Sequence, residues 1–307
     1  MIPLATGLPV QAAEPARRTF EIEEPTNLYV IHPVAARLVP LFAALHIPPN
    51  AVSLTGMSFG ILAGFAYYHY DRLPFAVAGF VLMIVWHVMD GADGQLARLT
   101  HAQSELGKVL DGICDYVTFI AVYVGLALAL SRDHGGRIWI LVIAAGICHA
   151  AQAAAYEAQR EEYNFWGRGR AAVTLPDLDA RPAGTGGQFL PQRAADMLYR
   201  QYLRLQLLVS GIDPAFRARL SALLQGEPAR AAAIRQRYCD VFAPVIRRWS
   251  VLSANYRTLG IFACALFKRP QYYFWFEIVG FSAILIVLLV RQRARSAAFL
   301  EGLAAQP

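Results

Sequence analysis

The sequence predicts an all-α integral membrane protein. Three observations predict it: hydrophobic residues make up 56% of the chain, charged residues only 16%, and the mean hydropathy is +0.37. Soluble domains average about 45–50% apolar and about 25% charged residues. A bilayer accounts for the surplus.

A hydrocarbon core of about 30 Å needs about 20 helical residues. Six stretches approach that length, near residues 50–69, 74–92, 109–130, 137–156, 250–267 and 273–291. Ahead of them, residues 29–47 mix apolar side chains with His32, Arg37 and His46 and are broken by Pro33 and Pro40. This reads as an amphipathic interfacial helix lying on the leaflet. The chain therefore divides into an N-terminal segment (1–48), four transmembrane helices (49–156), a cytoplasmic helical insertion (157–249) and two last spans with a tail (250–307).

The insertion is too polar and too long for a turn. Its stretch 167–190 is rich in Gly, Pro, Asp and Arg, and helical patterns follow near 193–209 and 228–248, the second opened by Pro228 at a favourable first-turn position. No internal repeat of fixed period occurs.

Several classes are set aside. Glu21, Glu23 and Glu24 precede any apolar run, so no cleaved signal peptide is expected. Cys114, Cys148, Cys239 and Cys264 are scattered without paired spacing, which predicts free thiols. The net charge of +6 comes from basic residues interleaved with membrane segments, not from an arm or motif, so an anionic leaflet is the expected partner and nucleic acid is not. With both termini and the 93–108 loop on one side, that side holds 22 Lys and Arg against 5, or 8 against 5 without the long insertion. The positive-inside rule then puts that side in the cytoplasm.

The second and third spans carry acidic residues at one end, within MDGADGQLARLTHAQSELGKVLDGICD, residues 89–115. Asp90 and Asp93 are three apart and Asp111 and Asp115 four apart, so each pair lies on one face of its helix. Two antiparallel helix ends would bring all four to one point. Four carboxylates there would repel and be costly to desolvate without cations between them, and all-oxygen ligation favours Mg2+, Mn2+ or Ca2+. Gly94, Ala97 and Gly107 leave space beside them, and Arg98 returns to nearly the face of Asp90, where it offers a fixed charge to a phosphate. Together these describe a pyrophosphate site. Surrounding negative charge makes Cys114 an unfavourable thiolate and so an unsuitable nucleophile.

Asp90, Asp93, Gly94, Ala97, Arg98, Gly107, Asp111 and Asp115 fill every position of D-x2-D-G-x2-A-R-x8-G-x3-D-x3-D. In this the sequence resembles the CDP-alcohol phosphotransferase family, also called CDP-alcohol phosphatidyltransferases. Pro49-Asn50-Ala51-Val52-Ser53 looks like the family's short motif at the opening of the first span, whereas the 157–249 insertion is larger than the family's usual loop.

The resemblance implies a two-metal centre of Mg2+ or Mn2+ held by Asp90, Asp93 and Asp111. Asp115 would contribute to it and act as general base. Gly94, Ala97 and Gly107 would border the cytidine nucleotide and Arg98 its pyrophosphate. The implied reaction transfers the phosphatidyl group of CDP-diacylglycerol to a small polar alcohol, such as a phosphorylated inositol or glycerol, releases CMP and makes a phospholipid. The same motif serves enzymes that pass a soluble CDP-alcohol to a lipid hydroxyl. A divalent-cation transporter is the rival from another class, but it would need polar residues on the outer side and has no use for the spaced small residues and arginine. A homodimer in a bacterial inner membrane, active site towards the cytoplasm, completes the expectation.

Other polar residues have two readings each. His87 positions a ligand or is hydrogen-bonded within the bundle. Asn255 and Arg257 are acceptor contacts or interfacial residues. Gly56, Gly60 and Gly64, at four-residue spacing, bring helices together within the chain or across a dimer. Glu157, Arg160 and Tyr163 lie just beyond the fourth span, where a cytoplasmic acceptor would enter.

Overall fold

A computed structural model describes residues 20–169 and 206–304, Gly226 excepted, together with Gln201 and Arg204. The stretch 170–190, the start of the expected 193–209 helix and the first 19 residues lie outside the described residues. Helices and turns account for the described chain, and no strand occurs in it.

Among the described residues the α-helices with described bounds are, in order, α1 His32–Ala44, α2 Pro49–Tyr67, α3 Leu73–Leu99, α4 Glu105–His134, α5 Ile138–Arg168, α6 Pro214–Leu224, α7 Pro228–Trp249, α8 Ala254–Leu266, α9 Gln271–Trp275 and α10 Ser282–Ala304. A π-helical turn, Asn27–Ile31, leads into α1, and another, Phe276–Phe281, joins α9 to α10. Pro33 lies where the π-helical turn passes into α1, and Pro40 sits inside the helix.

By length and apolarity, four candidate membrane spans occur among the described residues: Asn27–Ala44, Leu73–Leu99, Leu106–Arg168 and Gln271–Leu303. Leu106–Arg168 comprises α4 and α5 and the three-residue turn between them. The fifth expected span, 250–267, is not reproduced at that length. Ser250–Leu252 forms a 3-10 turn, Ser253 is extended, and α8 begins only at Ala254. Its 13 residues rise about 20 Å, short of a 30 Å core.

The fourth expected span does not stop at 156; α5 continues to Arg168. Past Tyr156 its polar residues support one another at helical spacing, with Arg160 donating to Glu157 at 2.7 Å and Trp166 Nε1 to Glu162 at 2.5 Å.

The described chain forms two compact units. One comprises Glu23–Ala153 and Val251–Ile284. Its core gathers Tyr67, Met83, Trp86, Leu126, Leu130, Phe274 and their neighbours, and a second cluster packs α1 on α3 through Ile31, Ala35, Val39, Met89 and Leu96. The other comprises the described part of Ala154–Ser250 with the chain from Leu285 onward and the turn Phe20–Ile22. There Tyr238 and Phe242 of α7 pack against Phe299 of α10.

The glycines of α2 explain how the first unit closes. A Cβ at Gly56 would stand 3.0 Å from Met89 Cβ, at Gly60 2.3 Å from Thr118 Oγ1, and at Gly64 2.5 Å from the Ala121 carbonyl oxygen. Gly125 of α4 answers from the other side, where a Cβ would sit 2.1 Å from the Gly64 carbonyl oxygen. The stripe is therefore used inside the chain, between α2, α3 and α4, and the intrachain reading of its spacing holds. All four cysteines are free, as expected, with Cys114 and Cys239 buried.

Candidate active site

Register places the carboxylates. The turn between α3 and α4 spans Thr100 to Ser104, with His101 in the left-handed region at φ 53°. Ser104 caps α4, its hydroxyl accepting from the Gly107 N–H at 3.0 Å. So short a turn makes the two helices antiparallel. Asp93 lies six residues before the end of α3 and Asp111 six after the start of α4, so they meet at equal height, about 9 Å from the turn. Asp90 lies one turn deeper.

Asp90, Asp93 and Asp111 each present a carboxylate oxygen within 4.8 Å of the others. Asp93 is buried and the other two are half-buried. At such separations each pair of charges repels by at least about 3.5 kcal/mol for an effective dielectric of about 20. The donor set is all oxygen and fits a hard divalent cation. Asp115, one turn along α4 from Asp111, is not in this triplet.

The rest of the motif surrounds the triplet along the same two helices. Gly94 and Arg98 share a face, so that a Cβ on Gly94 would lie 3.4 Å from the Arg98 guanidinium. Ala97 and Arg98 are both half-buried on the last turn of α3. At Gly107 a Cβ would meet Ser104 Oγ at 3.1 Å and Asn50 Oδ1 at 3.5 Å.

Two participants were not singled out individually from sequence, although both lie in the Pro49–Ser53 motif. Ser53 Oγ donates to Asp93 Oδ2 at 2.5 Å, and Asn50 stands beside Gly107. The signal was the motif's place at the opening of α2; what sequence could not supply was the glycine-mediated packing that aims that opening at α3 and α4.

Residues 46–190 match the model of the CDP-alcohol phosphatidyltransferase family. That match covers a little under half of the chain. CDP-diacylglycerol–serine O-phosphatidyltransferases of Mycobacterium bovis and Mycobacterium tuberculosis are each 29% identical over 124 residues, 38% of this chain and 40% of theirs. An archaetidylinositol phosphate synthase of Pyrococcus horikoshii is 32% identical over 92 residues, 30% of this chain and 47% of its own. The matched region thus spans less than half the length of each.

The other predicted residues are engaged in packing between helices. His87 Nε2 hydrogen-bonds Thr258 Oγ1 at 2.9 Å, tying α3 to α8 three residues before Asp90. Arg257 is fully buried: it donates to Glu277 at 3.2 Å, to Gln152 at 2.7 Å and to the Leu252 carbonyl. Asn255 is buried too, donating to Asn27 Oδ1 at 2.7 Å and to Glu24. Neither of the expected acceptor contacts presents an exposed donor. Of the residues beyond the fourth span, Arg160 pairs with Glu157, and Tyr163 donates to Glu21.

Sequence reading also passed over Glu24. Its carboxylate accepts from Ser253 Oγ and from Asn255 at the N-terminus of α8, where a negative charge is favoured.

Proposed function

We propose that this chain transfers a phosphatidyl group from CDP-diacylglycerol to a small polar alcohol, releasing CMP. The observation that carries the proposal is the meeting of Asp90, Asp93 and Asp111 inside an intact family motif. The names of the relatives support a CDP-linked lipid donor, with serine or an inositol phosphate as acceptor chemistries.

In this reading Asp90, Asp93 and Asp111 hold Mg2+ or Mn2+, which when bound would neutralise the donor's diphosphate and the departing CMP. Arg98 adds a guanidinium to the pyrophosphate. Gly94, Ala97 and Gly107 leave room for the nucleotide. Asp115 takes the proton from the attacking hydroxyl as its oxygen bonds to phosphorus and the bond to CMP breaks. Ser53 holds Asp93 in orientation. Arg257 and Asn255 become positioning residues that anchor α8, so acceptor recognition falls to other side chains.

The membrane arrangement belongs to the same proposal. α2 packs as a further membrane helix, the shorter α8 lies within the bundle without crossing the full core, α1 rests in the interface, and the motif faces a bacterial cytoplasm, consistent with the Lys and Arg distribution. A homodimer would have to use a face other than the α2 glycine stripe.

CMP release by purified protein tests the reading, with Mg2+ or Mn2+, CDP-diacylglycerol and a panel of serine, inositol phosphate and glycerol phosphate. Release with one alcohol, lost in Asp111→Asn, is expected. Release only from a soluble CDP-alcohol with a lipid acceptor would reverse the roles of the substrates, and silence with both donor classes would refute the transferase reading.

A further inference from the structure

Within the unit that holds Ala154–Ser250 and the chain from Leu285, α7 and α10 run antiparallel and enclose a groove. The pairing is fixed at one end by Phe299 against Tyr238 and Phe242 and by Arg237 donating to the Gly302 carbonyl at 3.2 Å. Towards the other end, Val245 and Leu288 form an apolar floor beneath a cavity of about 390 Å3, the lower range of small-ligand sites. The space exists because Ala294 and Ala298, with single-carbon side chains, occupy the α10 wall. Three guanidinium groups line it: Arg248 on the last turn of α7, and Arg291 and Arg295 one turn apart on α10.

These arginines differ from their neighbours. Arg247 donates to the Glu21 carbonyl, Arg235 to the carbonyls of Phe165 and Trp166, and Arg217 pairs with Glu162. Arg248, Arg291 and Arg295 are exposed, and no carboxylate among the described residues lies within ion-pair distance of them. Their depth is also marked. Ile278–Val290 carries no charged residue, and Arg291 is the first charge after it. Arg291 thus stands where an apolar span ends, at the level of lipid headgroups.

We infer that this groove binds the phosphate headgroup of an anionic membrane lipid. The guanidiniums supply forked donors to phosphate oxygens and the apolar floor meets the glycerol and upper acyl region. The groove shares no residue with the carboxylate triplet and would hold its lipid whether or not the chain turns over a CDP-linked donor.

Native mass spectrometry of the full chain, released from nanodiscs of phosphatidylcholine with a minority of phosphatidylglycerol, tests this. Wild type is expected to retain one phosphatidylglycerol. R291Q/R295Q should lower retention about tenfold or more, and Ala298→Leu, which fills the groove without changing charge, should lower it comparably. Arg293→Gln, an exposed charge that does not line the groove, should leave retention intact. Equal loss with Arg293→Gln, or full retention in Ala298→Leu, would reduce the effect to general leaflet charge and overturn the site. Displacement by millimolar inorganic phosphate would also overturn it, in favour of a soluble anion. Size-exclusion profiles matching wild type ensure that a loss does not come from unfolding.

Discussion

Ser53 Oγ donates to Asp93 Oδ2 at 2.5 Å, joining two residues 40 positions apart and tying the opening of α2 to the carboxylates of α3 and α4. A carboxylate held from behind keeps one orientation, and loss of such outer partners typically costs 10–100-fold in metal affinity. Ser53→Ala should therefore raise the Mn2+ concentration needed for half-maximal CMP release by about tenfold or more, with thermal stability little changed. Ser53→Thr, which keeps the hydroxyl, should recover much of the loss. Unchanged metal dependence in Ser53→Ala would remove Ser53 from the site.

Asp111 and Asp115 share a helix face yet differ in place, since only Asp111 belongs to the triplet. If the triplet holds the metal as proposed, Asp111→Asn should abolish Mn2+ binding seen by electron paramagnetic resonance. Asp115→Asn should leave Mn2+ binding within a few fold but cut turnover by about 10²–10⁴, the range for a lost general base. Equal loss of Mn2+ binding in both variants would make Asp115 a ligand first.

The α3–α4 hairpin and its aspartates were legible because everything needed lies within 26 positions of sequence: two periodic helices, a five-residue turn and carboxylates equidistant from it. α8 was not, because apolar composition between 250 and 267 gives no sign that Ser250–Leu252 turns in 3-10 geometry. The partners of Arg257 were not legible for a related reason. Its partners Gln152 and Glu277 lie 105 and 20 positions away, and a pairing across helices leaves no local trace.

The α2 stripe makes a prediction in two directions. Gly60→Ala and Gly64→Ala place a methyl group 2.3 Å from Thr118 Oγ1 and 2.5 Å from the Ala121 carbonyl, and backbone cannot give way as a side-chain end can. Each should cost about 1–3 kcal/mol, Gly64→Ala the more. Gly112→Ala, with nothing within 4 Å of the new Cβ, should instead be neutral or stabilise α4 by up to about 1 kcal/mol through helix propensity. Thermal unfolding in one detergent, followed by circular dichroism, measures all three. Equal behaviour at positions 60, 64 and 112 would refute the packing.

The Arg257–Glu277 pair is fully buried, and Gln152 and the Leu252 carbonyl take further donors of the same guanidinium. Removing one partner leaves a buried charge uncompensated, so Arg257→Met and Glu277→Gln should each destabilise by about 3–5 kcal/mol. Replacing both with apolar residues of similar volume removes both desolvation costs, and Arg257→Met with Glu277→Leu should regain most of the stability. That rescued double variant separates two roles. If Arg257 only anchors α8, the acceptor KM stays near wild type while kcat falls modestly through the Thr258–His87 link to α3. A stable double variant whose acceptor KM rises tenfold or more, about 1.4 kcal/mol per tenfold, would return Arg257 to the acceptor pocket.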